Sequence, residues 1–497
     1  MKFLTGQRPS PLLILTAVFA VLWAMARAAV QAVTIDEADT YLAFVQPHAP
    51  LEWYPAANNH VLNTLLMRLF TSVFGLSHLA LRAPALIGAV IYICAALWLA
   101  SLIAQDLKVQ WPLFACLIFN PLVFDYLVAA RGYALALAFL MCAIAIPFYF
   151  FESDRPALAC ALSSTCAGLS VAANSSFGFV NAALILIIFL GAARKRNMKL
   201  IAASILPAML VTMAISAPAL PGLHKFDFVY GATSLSETLH SITSASLYEL
   251  NPNLVNPLLY GAIESIKRFL LPLLAAICVY QLAMLILNRA SLRDAHAKWL
   301  ASLGAVLASI LILTVTAHWL SFKLLHLLLP KDRTALYFVP LVTLIAGILA
   351  ALPARARLGK AGRVALIAAL YALSGYYLLC LRLSYFKEWR FDADVKDAYS
   401  VLAYYNHTFG IKDVATNWMY APSLNFYRTF SGRETFGEFH WVNPYPPDRM
   451  IYVLSGPFDG GFITEQKLKV VYRGDISDVV VAIRPELESR PLTKGYQ

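Results

Sequence analysis

The sequence predicts an all-α polytopic membrane bundle of about eleven transmembrane helices, followed by a small C-terminal α/β domain outside the membrane. Of the 497 residues, 60% are hydrophobic and only 13% are charged, and the mean hydropathy is +0.66. Soluble domains carry about 25% charged residues, so this balance indicates a membrane protein. The tail from Tyr385 onward is polar, and helix-like and strand-like patterns alternate along it.

Eleven apolar segments approach the length of about 20 residues that a helix needs to cross the hydrocarbon layer. They are centred on residues 11–33, 83–104, 111–128, 133–151, 157–173, 177–193, 200–217, 269–287, 299–317, 336–352 and 364–381. The first resembles a signal peptide in its small C-terminal residues, but its apolar stretch is longer than a signal sequence requires. We therefore expect it to be retained as a membrane span.

Basic loops predict the orientation of the chain in the membrane. The stretches MKFLTGQR, ARKRNMK, NRASLRDAHAK and PARARLGKAGR all fall on one side, which the positive-inside rule makes cytoplasmic. The N-terminus is then cytoplasmic, and the first outer loop (34 to about 80), the loops 218–268 and 318–334, and the tail lie on the opposite face. This pattern is typical of a multi-pass protein of the bacterial inner membrane with a periplasmic C-terminal domain, and a location in the endoplasmic reticulum fits it equally well.

The net charge of +11 raises the alternative of nucleic-acid binding, but the basic residues lie mostly in short loops between apolar segments. No basic stripe with interleaved aromatic residues is present in the sequence, so we expect no nucleic-acid partner. All seven cysteines fall inside apolar segments without metal-finger spacing, which is typical of small buried residues.

Three carboxylates, Asp36, Glu37 and Asp39, follow the first span directly in the stretch TIDEADTY. The simpler interpretation is a solvated flank at the membrane edge. However, three acids within four positions repel one another unless a cation or a substrate joins them. A helix through this stretch would place Asp36 and Asp39 on one face, and charged groups beside a membrane are candidate functional groups.

Two further polar clusters are expected on the outer face. Asn58, Asn59 and His60 precede an amphipathic segment whose spacing fits a helix lying in the membrane interface. Arg131 stands in a very short turn between two spans, with Asp125 and Tyr133 close by.

Arginine binds phosphate through two parallel hydrogen bonds, although an arginine at this depth also commonly reaches toward lipid headgroups. Lys331 and Arg333 stand at the mouth of another span. The two basic sites together indicate an anionic, lipid-linked ligand.

The tail contains two helix-like stretches, DADVKDAYSVLAYYNHTF and APSLNFYRTF, and two strand-like stretches, RMIYVLSG and DVVVAIRP. It has no glycine-rich phosphate loop, and we assign it no catalysis. The predicted domains are therefore 1–384 for the membrane bundle and 385–497 for the soluble α/β domain.

In its order of motifs the chain resembles the GT-C superfamily of polytopic glycosyltransferases, in particular the protein O-mannosyltransferase and aminoarabinose-transferase-like branch. The resemblance is carried by DEADTY after the first span, NNH with its amphipathic helix, FGLSHLALRAPALIGAV, RGYALALAF and DRTALYFVPLVTLIAG. It covers about residues 10–380 and is strongest over the first 140. Two departures are Asp39, where that branch commonly has a basic residue, and NNHVLN in place of a Lys-Pro-Pro segment.

The resemblance implies inverting transfer of a hexosyl or pentosyl group from a polyprenyl-phosphate-linked donor to an acceptor on the outer, periplasmic face. The acceptor is left open between a lipid, a polysaccharide and a protein. Asp36 would be the general base and Glu37 would support it or orient the acceptor. The residues implied for the donor phosphate are Arg131, Tyr133, Lys331, Arg333 and His60, and those implied for the acceptor or for support are Asp39, Asn59 and Asp125.

No cofactor is assigned from the sequence, since some GT-C enzymes need a divalent metal and others do not. A divalent metal is compatible with the acidic cluster, but we assign no metal site. The main alternative is a transporter or flippase that binds the same lipid-linked phosphate sugar without chemistry, although the paired repeats typical of transporters are not evident. A non-catalytic scaffold is a second alternative, and it leaves the Asp-Glu pair and both arginine sites without a role.

Overall fold

The structure is a computed structural model, which describes residues 9–46, 58–150, 154–219, 230–247, 257–287, 292, 294–352, 357–432 and 436–487. The chain forms two compact units. The first unit comprises Met1–Met25, Pro55–Asn63 and Pro84–Leu381, and the second comprises Ala26–Tyr54, Thr64–Ala83 and Arg382–Gln497. The second unit therefore contains the acidic segment of the first outer loop as well as the polar tail. The domain boundary expected at 384/385 stays a prediction.

Helices dominate the described residues. In chain order they are α1 (Pro11–Val30), α2 (Ile35–Thr40), α3 (Val61–Phe74), α4 (His78–Ile103), α5 (Leu107–Phe119), α6 (Pro121–Tyr126), α7 (Tyr133–Tyr149), α8 (Pro156–Ala173), α9 (Gly178–Arg194), α10 (Met198–Ser216), α11 (Leu235–Ser246), α12 (Pro257–Ser265), α13 (Leu271–Leu287), α14 (Ala295–Leu325), α15 (Phe338–Ala351), α16 (Arg357–Leu379), α17 (Val395–Phe409), α18 (Ala421–Ser431) and α19 (Gly456–Glu465). The strands are β1 (Ala415–Thr416), β2 (Ile451–Ser455), β3 (Lys469–Arg473) and β4 (Val479–Ile483). Single turns of 3-10 or π-helix include Tyr41–Val45, Ser175–Phe177, Asp332–Ala335 and Arg390–Asp392.

Each of the eleven expected spans coincides with helix. Within the described ranges, eight helical segments are long and apolar enough to cross a membrane: Pro11–Val30, His78–Ile103, Pro156–Ala173, Ser175–Arg194, Met198–Ser216, Arg268–Leu285, Ala295–Leu325 and Arg357–Leu379. The other three expected spans correspond to α5, α7 and α15, which are apolar but have only 13, 17 and 14 residues. The expected polytopic helical bundle is confirmed, and the chain is an integral membrane protein.

Two of the expected boundaries were wrong. The span expected over 111–128 breaks at Asn120, whose side-chain oxygen accepts from the Val123 amide at 3.2 Å, while Pro121 begins α6. An asparagine cap followed by proline is a strong helix start, so α5 ends at Phe119. The loop expected over 318–334 is helical as far as Leu325, because α14 continues until His326 takes a left-handed conformation with φ of +56°.

Small residues allow close helix packing in the first unit. A Cβ added to Gly168 on α8 would lie 2.8 Å from the Ala208 carbonyl oxygen on α10, so only glycine permits this approach. Ser163 and Ser170 donate hydrogen bonds to the carbonyls of Ala143 and Ala136 on α7, at 2.6 and 2.8 Å. Close backbone approach and serine bonds between helices are typical of membrane bundles, where lipid supplies no hydrophobic drive for association.

The tail forms the small α/β structure that the sequence predicts. Its sheet has the order β1-β2-β4-β3, with β1 parallel to β2 and the other pairs antiparallel. Strands β2 and β4, both of them expected, are buried along their whole length, as continuous apolar strands in a sheet centre should be. Helix α17 packs with a buried face that repeats at Val395, Ala398, Tyr399 and Leu402. Strand β3 and helix α19 were not expected.

Candidate active site

The acidic segment of the second unit folds as the short helix α2, so Asp36 and Asp39 stand on a helix as expected. Thr34 starts this helix with a capping box. Its hydroxyl accepts from the Glu37 amide at 3.2 Å, and the Glu37 carboxylate accepts from the Thr34 amide at 3.0 Å. The pattern T-x-x-E at 34–37 is the sequence signature of this cap.

Glu37 is fully buried and forms a two-bond ion pair with Arg82. The Arg82 Nε donates to Glu37 Oε1 at 2.8 Å and its Nη2 donates to Oε2 at 2.7 Å. The remaining guanidinium hydrogens bind the carbonyls of Ala28, Gln31 and Ala32 at 3.0, 2.9 and 2.8 Å. Arginine has five N–H donors, and all of them are engaged here. Arg82 was missed in the sequence analysis.

Asp36 and Asp39, unlike Glu37, are half-buried. The Thr40 hydroxyl donates to the Asp36 carbonyl oxygen at 2.8 Å, which secures the second turn of α2. Of the three clustered acids, one is thus neutralised inside the protein, and the other two are half-buried. In the part of the chain that the structure describes, no group of three or more His, Cys, Asp or Glu side chains is arranged to hold a metal ion.

Residues from the tail bind the backbone that leads into α2. The Val33 amide donates to the Tyr427 phenol oxygen at 2.9 Å, and the Ile35 amide donates to Asp392 Oδ2 at 2.7 Å. Asp392 is 1% exposed, and its Oδ1 accepts from the Ser423 hydroxyl at 3.0 Å. Burial, together with the charges of Asp36 and Glu37, raises the pKa of the Asp392 carboxyl well above its usual range.

In the first unit, Arg131 lies in the turn between α6 and α7, as expected, and is 2% exposed. Its guanidinium donates to the Asn58 side-chain oxygen. The Asn63 amide donates to the Ala130 carbonyl at 3.2 Å, so the start of α3 is joined to the same turn. Gly132 completes the turn with φ of +75°, and a Cβ there would lie 2.2 Å from the Ala173 carbonyl oxygen.

His60 lies beside this turn and is 6% exposed. Its ring meets the Tyr133 ring edge-on at 5.6 Å between centroids. Neither ring nitrogen has a hydrogen-bond partner among the residues that the structure describes. Burial, and then the positive charges of Arg131 and Arg333, hold the pKa of His60 well below its usual value. The imidazole is therefore neutral near pH 7 and offers one donor and one acceptor.

The second basic site of the first unit surrounds the turn Asp332–Ala335. Lys331 forms an ion pair with Glu237 at 2.9 Å, and both side chains are about one third exposed. The Arg333 guanidinium lies over the Tyr230 ring, 4.6 Å from its centroid. Hydrogen bonds from Thr233 and the ion pair with Lys331 lower the pKa of Glu237 to about 2. Glu237, in the first turn of α11, was missed in the sequence analysis, because the stretch 218–268 was expected to be a loop and carries no recognisable motif.

The structure thus brings the expected site residues together in groups. Asp36, Glu37 and Asp39 share α2 in the second unit. One cluster of the first unit contains His60, Arg131 and Tyr133. The positive charge of Arg333 also lowers the pKa of His60. Two more expected residues of this unit are buried, Asn59 beside His60 and Asp125 on α6, where the adjoining Tyr126 ring lies 4.7 Å from that of Tyr133.

Comparison with known proteins gives a match in fold. No family model matches the chain, and neither does any curated protein. Among solved structures, ArnT from Cupriavidus metallidurans bound to undecaprenyl phosphate is 12% identical, with a TM-score of 0.51. The match covers 98% of this chain and 99% of ArnT. The apo structure of the same ArnT is also 12% identical and covers 98% of each chain, with a TM-score of 0.38.

The class that the comparison defines is the GT-C glycosyltransferase fold, which was expected from the sequence. A solved structure that shares this fold over 98% of the chain is that of ArnT.

Proposed function

We propose that the chain is a membrane glycosyltransferase that moves a sugar from a polyprenyl-phosphate-linked donor to an acceptor at the outer, periplasmic face of a bacterial inner membrane. The observation that carries the proposal is the setting of Asp36, a half-buried carboxylate on a short helix whose neighbouring acid, Glu37, is neutralised by Arg82. The fold supports it, because the ArnT structure with a TM-score of 0.51 is bound to undecaprenyl phosphate. Function must still be argued from the site rather than from the fold.

Asp36 acts as the general base in this proposal. A glycosyl phosphate breaks at C1 through an oxocarbenium-like transition state, and a carboxylate that takes the proton of the attacking hydroxyl assists that step. Attack on the face opposite to the leaving phosphate predicts inversion at C1. Glu37 supports the base by fixing α2 through the Thr34 amide. Asp39, on the same half-buried helix, contributes to acceptor binding.

The cluster of the first unit binds the departing phosphate in this proposal. Negative charge grows on that phosphate in the transition state, so fixed cations and donors stabilise the transition state more than the ground state. Arg131 and Arg333 supply the positive charge, while His60, neutral at pH 7, supplies a hydrogen bond. Tyr133 packs against His60, and Asn59 and Asp125 have supporting roles. Lys331 contributes less charge than expected because Glu237 already pairs with it.

The decisive experiment compares Asp36→Asn with Asp39→Asn in purified protein, supplied with polyprenyl-phosphate sugars and with the lipid, polysaccharide and protein fractions of the host as acceptors. Both substitutions remove one carboxylate from the same short helix and preserve side-chain shape. We expect wild type to release polyprenyl phosphate, and Asp39→Asn to do so with a raised acceptor KM, because Asp39 is assigned to acceptor binding. We expect Asp36→Asn to lose about 100-fold or more of the rate while donor binding persists, because general-base catalysis is worth about 10²- to 10⁴-fold.

Two outcomes contradict the proposal. If Asp36→Asn turns over the donor at the wild-type rate, Asp36 is a membrane flank and the mechanism is wrong. If wild type binds the donor but releases no polyprenyl phosphate, the chain is better described as a transporter or flippase of the same lipid.

A further inference from the structure

In the second unit, a set of hydrogen bonds holds the backbone of the segment that carries Asp36. Val33, Thr34, Ile35 and Glu37 each donate their backbone amide to a side chain. For Thr34 and Glu37 the partner lies within the capping box of α2. For Val33 and Ile35 the partners, Tyr427 and Asp392, come from the tail, 394 and 357 residues further along the chain.

We propose that Asp392 and Tyr427 are positioning residues, which hold the backbone of Val33–Ile35 and thereby fix the orientation of Asp36. The proposal rests on the role of Asp36 as the base, stated above. It assigns the tail a part in catalysis, whereas the sequence assigned the tail none.

The contacts form one continuous support. Asp392 binds the Ile35 amide with one oxygen and the Ser423 hydroxyl of α18 with the other. Tyr427 stands on the same helix, one turn beyond Ser423. The Tyr41 ring, which follows α2, packs edge-on against Phe426 of α18 with centroids 5.6 Å apart. Helix α18 therefore contacts the acidic segment on both sides of Asp36, before α2 and after it.

The surroundings of Asp392 favour its neutral form, so it can accept the Ile35 hydrogen bond without adding a negative charge beside the acidic segment. Burial and the negative charges of Asp36 and Glu37 on α2 raise the pKa of the Asp392 carboxyl, which favours its neutral form. In addition to burial, Asp392 in turn raises the pKa of Tyr427 on α18 and of Tyr420 just before that helix. Glu37 is compensated by Arg82, whereas the negative charge of Asp36 raises the pKa of the Asp392 carboxyl. A neutral Asp392 still accepts the Ile35 hydrogen bond.

The experiment uses the full-length enzyme and four variants. Asp392→Ala removes the acceptor for Ile35, and Tyr427→Phe removes the acceptor for Val33 while keeping the ring. Asp392→Asn keeps an acceptor for Ile35 and presents an amide to Ser423, so it imitates the neutral carboxyl. The matched control is Tyr452→Phe, which removes another buried tyrosine hydroxyl of the tail, one that donates to Pro446 at 2.8 Å. Turnover, donor KM and thermal unfolding are measured for each.

We expect Asp392→Ala to lower kcat about 10- to 100-fold with donor KM unchanged, since a misplacement of about 1 Å can cost about 100-fold. Tyr427→Phe should lower kcat by a smaller factor, at least about threefold by the same reasoning. Asp392→Asn should stay near wild type, and Tyr452→Phe should lose stability but no turnover. Tyr427→Phe keeps the test decisive if Asp392→Ala does not fold.

Three results separate the possibilities. If Asp392→Asn loses as much rate as Asp36→Asn, Asp392 acts as a carboxylate and the positioning role is wrong. If Asp36→Asn is inactive but Tyr427→Phe and Asp392→Ala turn over normally, the positioning role fails while the proposed function stands. If Asp36→Asn is itself fully active, the proposed function fails first.

Discussion

Replacing Arg82 with lysine keeps the positive charge but removes the hydrogen-bonding geometry of the guanidinium. Arg82 is fully buried and donates five hydrogen bonds, two to Glu37 and three to backbone carbonyls at the end of α1. Lysine retains the positive charge but has only three donors on one atom. At least two of the five acceptors therefore lose their partner. Each buried polar group left unpaired costs about 1–3 kcal/mol, so Arg82→Lys should destabilise the protein by about 2–6 kcal/mol.

The assay is chemical unfolding in detergent micelles, with Arg363→Lys as the matched control. Arg363 is half-buried and its Nε donates one hydrogen bond to the Ala350 carbonyl at 2.8 Å, which the lysine side chain can replace. We expect the control to change the free energy of unfolding by less than about 1 kcal/mol. If Arg82→Lys is no more destabilising than Arg363→Lys, the five hydrogen bonds of Arg82 do not stabilise the fold by the expected amount.

Two further predictions concern the first unit. Gly132→Ala should destabilise it by more than the about 1–2 kcal/mol that a left-handed conformation costs alone, because the new Cβ would also meet the Ala173 carbonyl at 2.2 Å. Gly191→Ala, in α9 with open space around it, should be neutral or stabilising in the same unfolding assay, and equal effects would contradict the argument. His60, whose pKa is depressed in the folded chain, contributes stability above about pH 6.5 that is lost on acidification, by up to about 1.4 kcal/mol per pH unit. His60→Asn should lack this component in unfolding measured between pH 5 and pH 7, and an unchanged pH dependence would refute it.

The apolar segments and the acidic helix were predictable because their signals are local. Helical spans appear as apolar runs, and the first turn of α2 carries its own cap in T-x-x-E. Residues of β2 and β4 form continuous apolar runs, so these buried strands were also recognised. In contrast, the 31 residues of α14 exceed what a bilayer requires, and the sequence alone gave no reason to continue the helix past about residue 317.

The partners of the site residues were not predictable because they are distant in sequence. Arg82 pairs with Glu37 across 45 residues, and Asp392 binds Ile35 across 357. An arginine at the start of a span is as readily explained by lipid headgroups, so nothing local indicates its pairing. Glu237 is similar, because its ion pair with Lys331 spans 94 residues. Lys331 was therefore expected to be a phosphate ligand, although its positive charge is already paired with Glu237.

The Glu37–Arg82 pair also bears on how Asp36 could work as a base. A buried ion pair is a weak source of stability, because desolvation of two charges largely offsets their attraction, and a hydrophobic pair of similar volume would often serve as well. Its effect on electrostatics is larger. Arg82 balances the charge of Glu37, and burial raises the pKa of the Asp392 carboxyl, so both effects reduce the negative charge around the acidic segment. A cluster that looks in sequence like mutual repulsion therefore contains, in the folded second unit, one acid whose charge is balanced by a buried arginine.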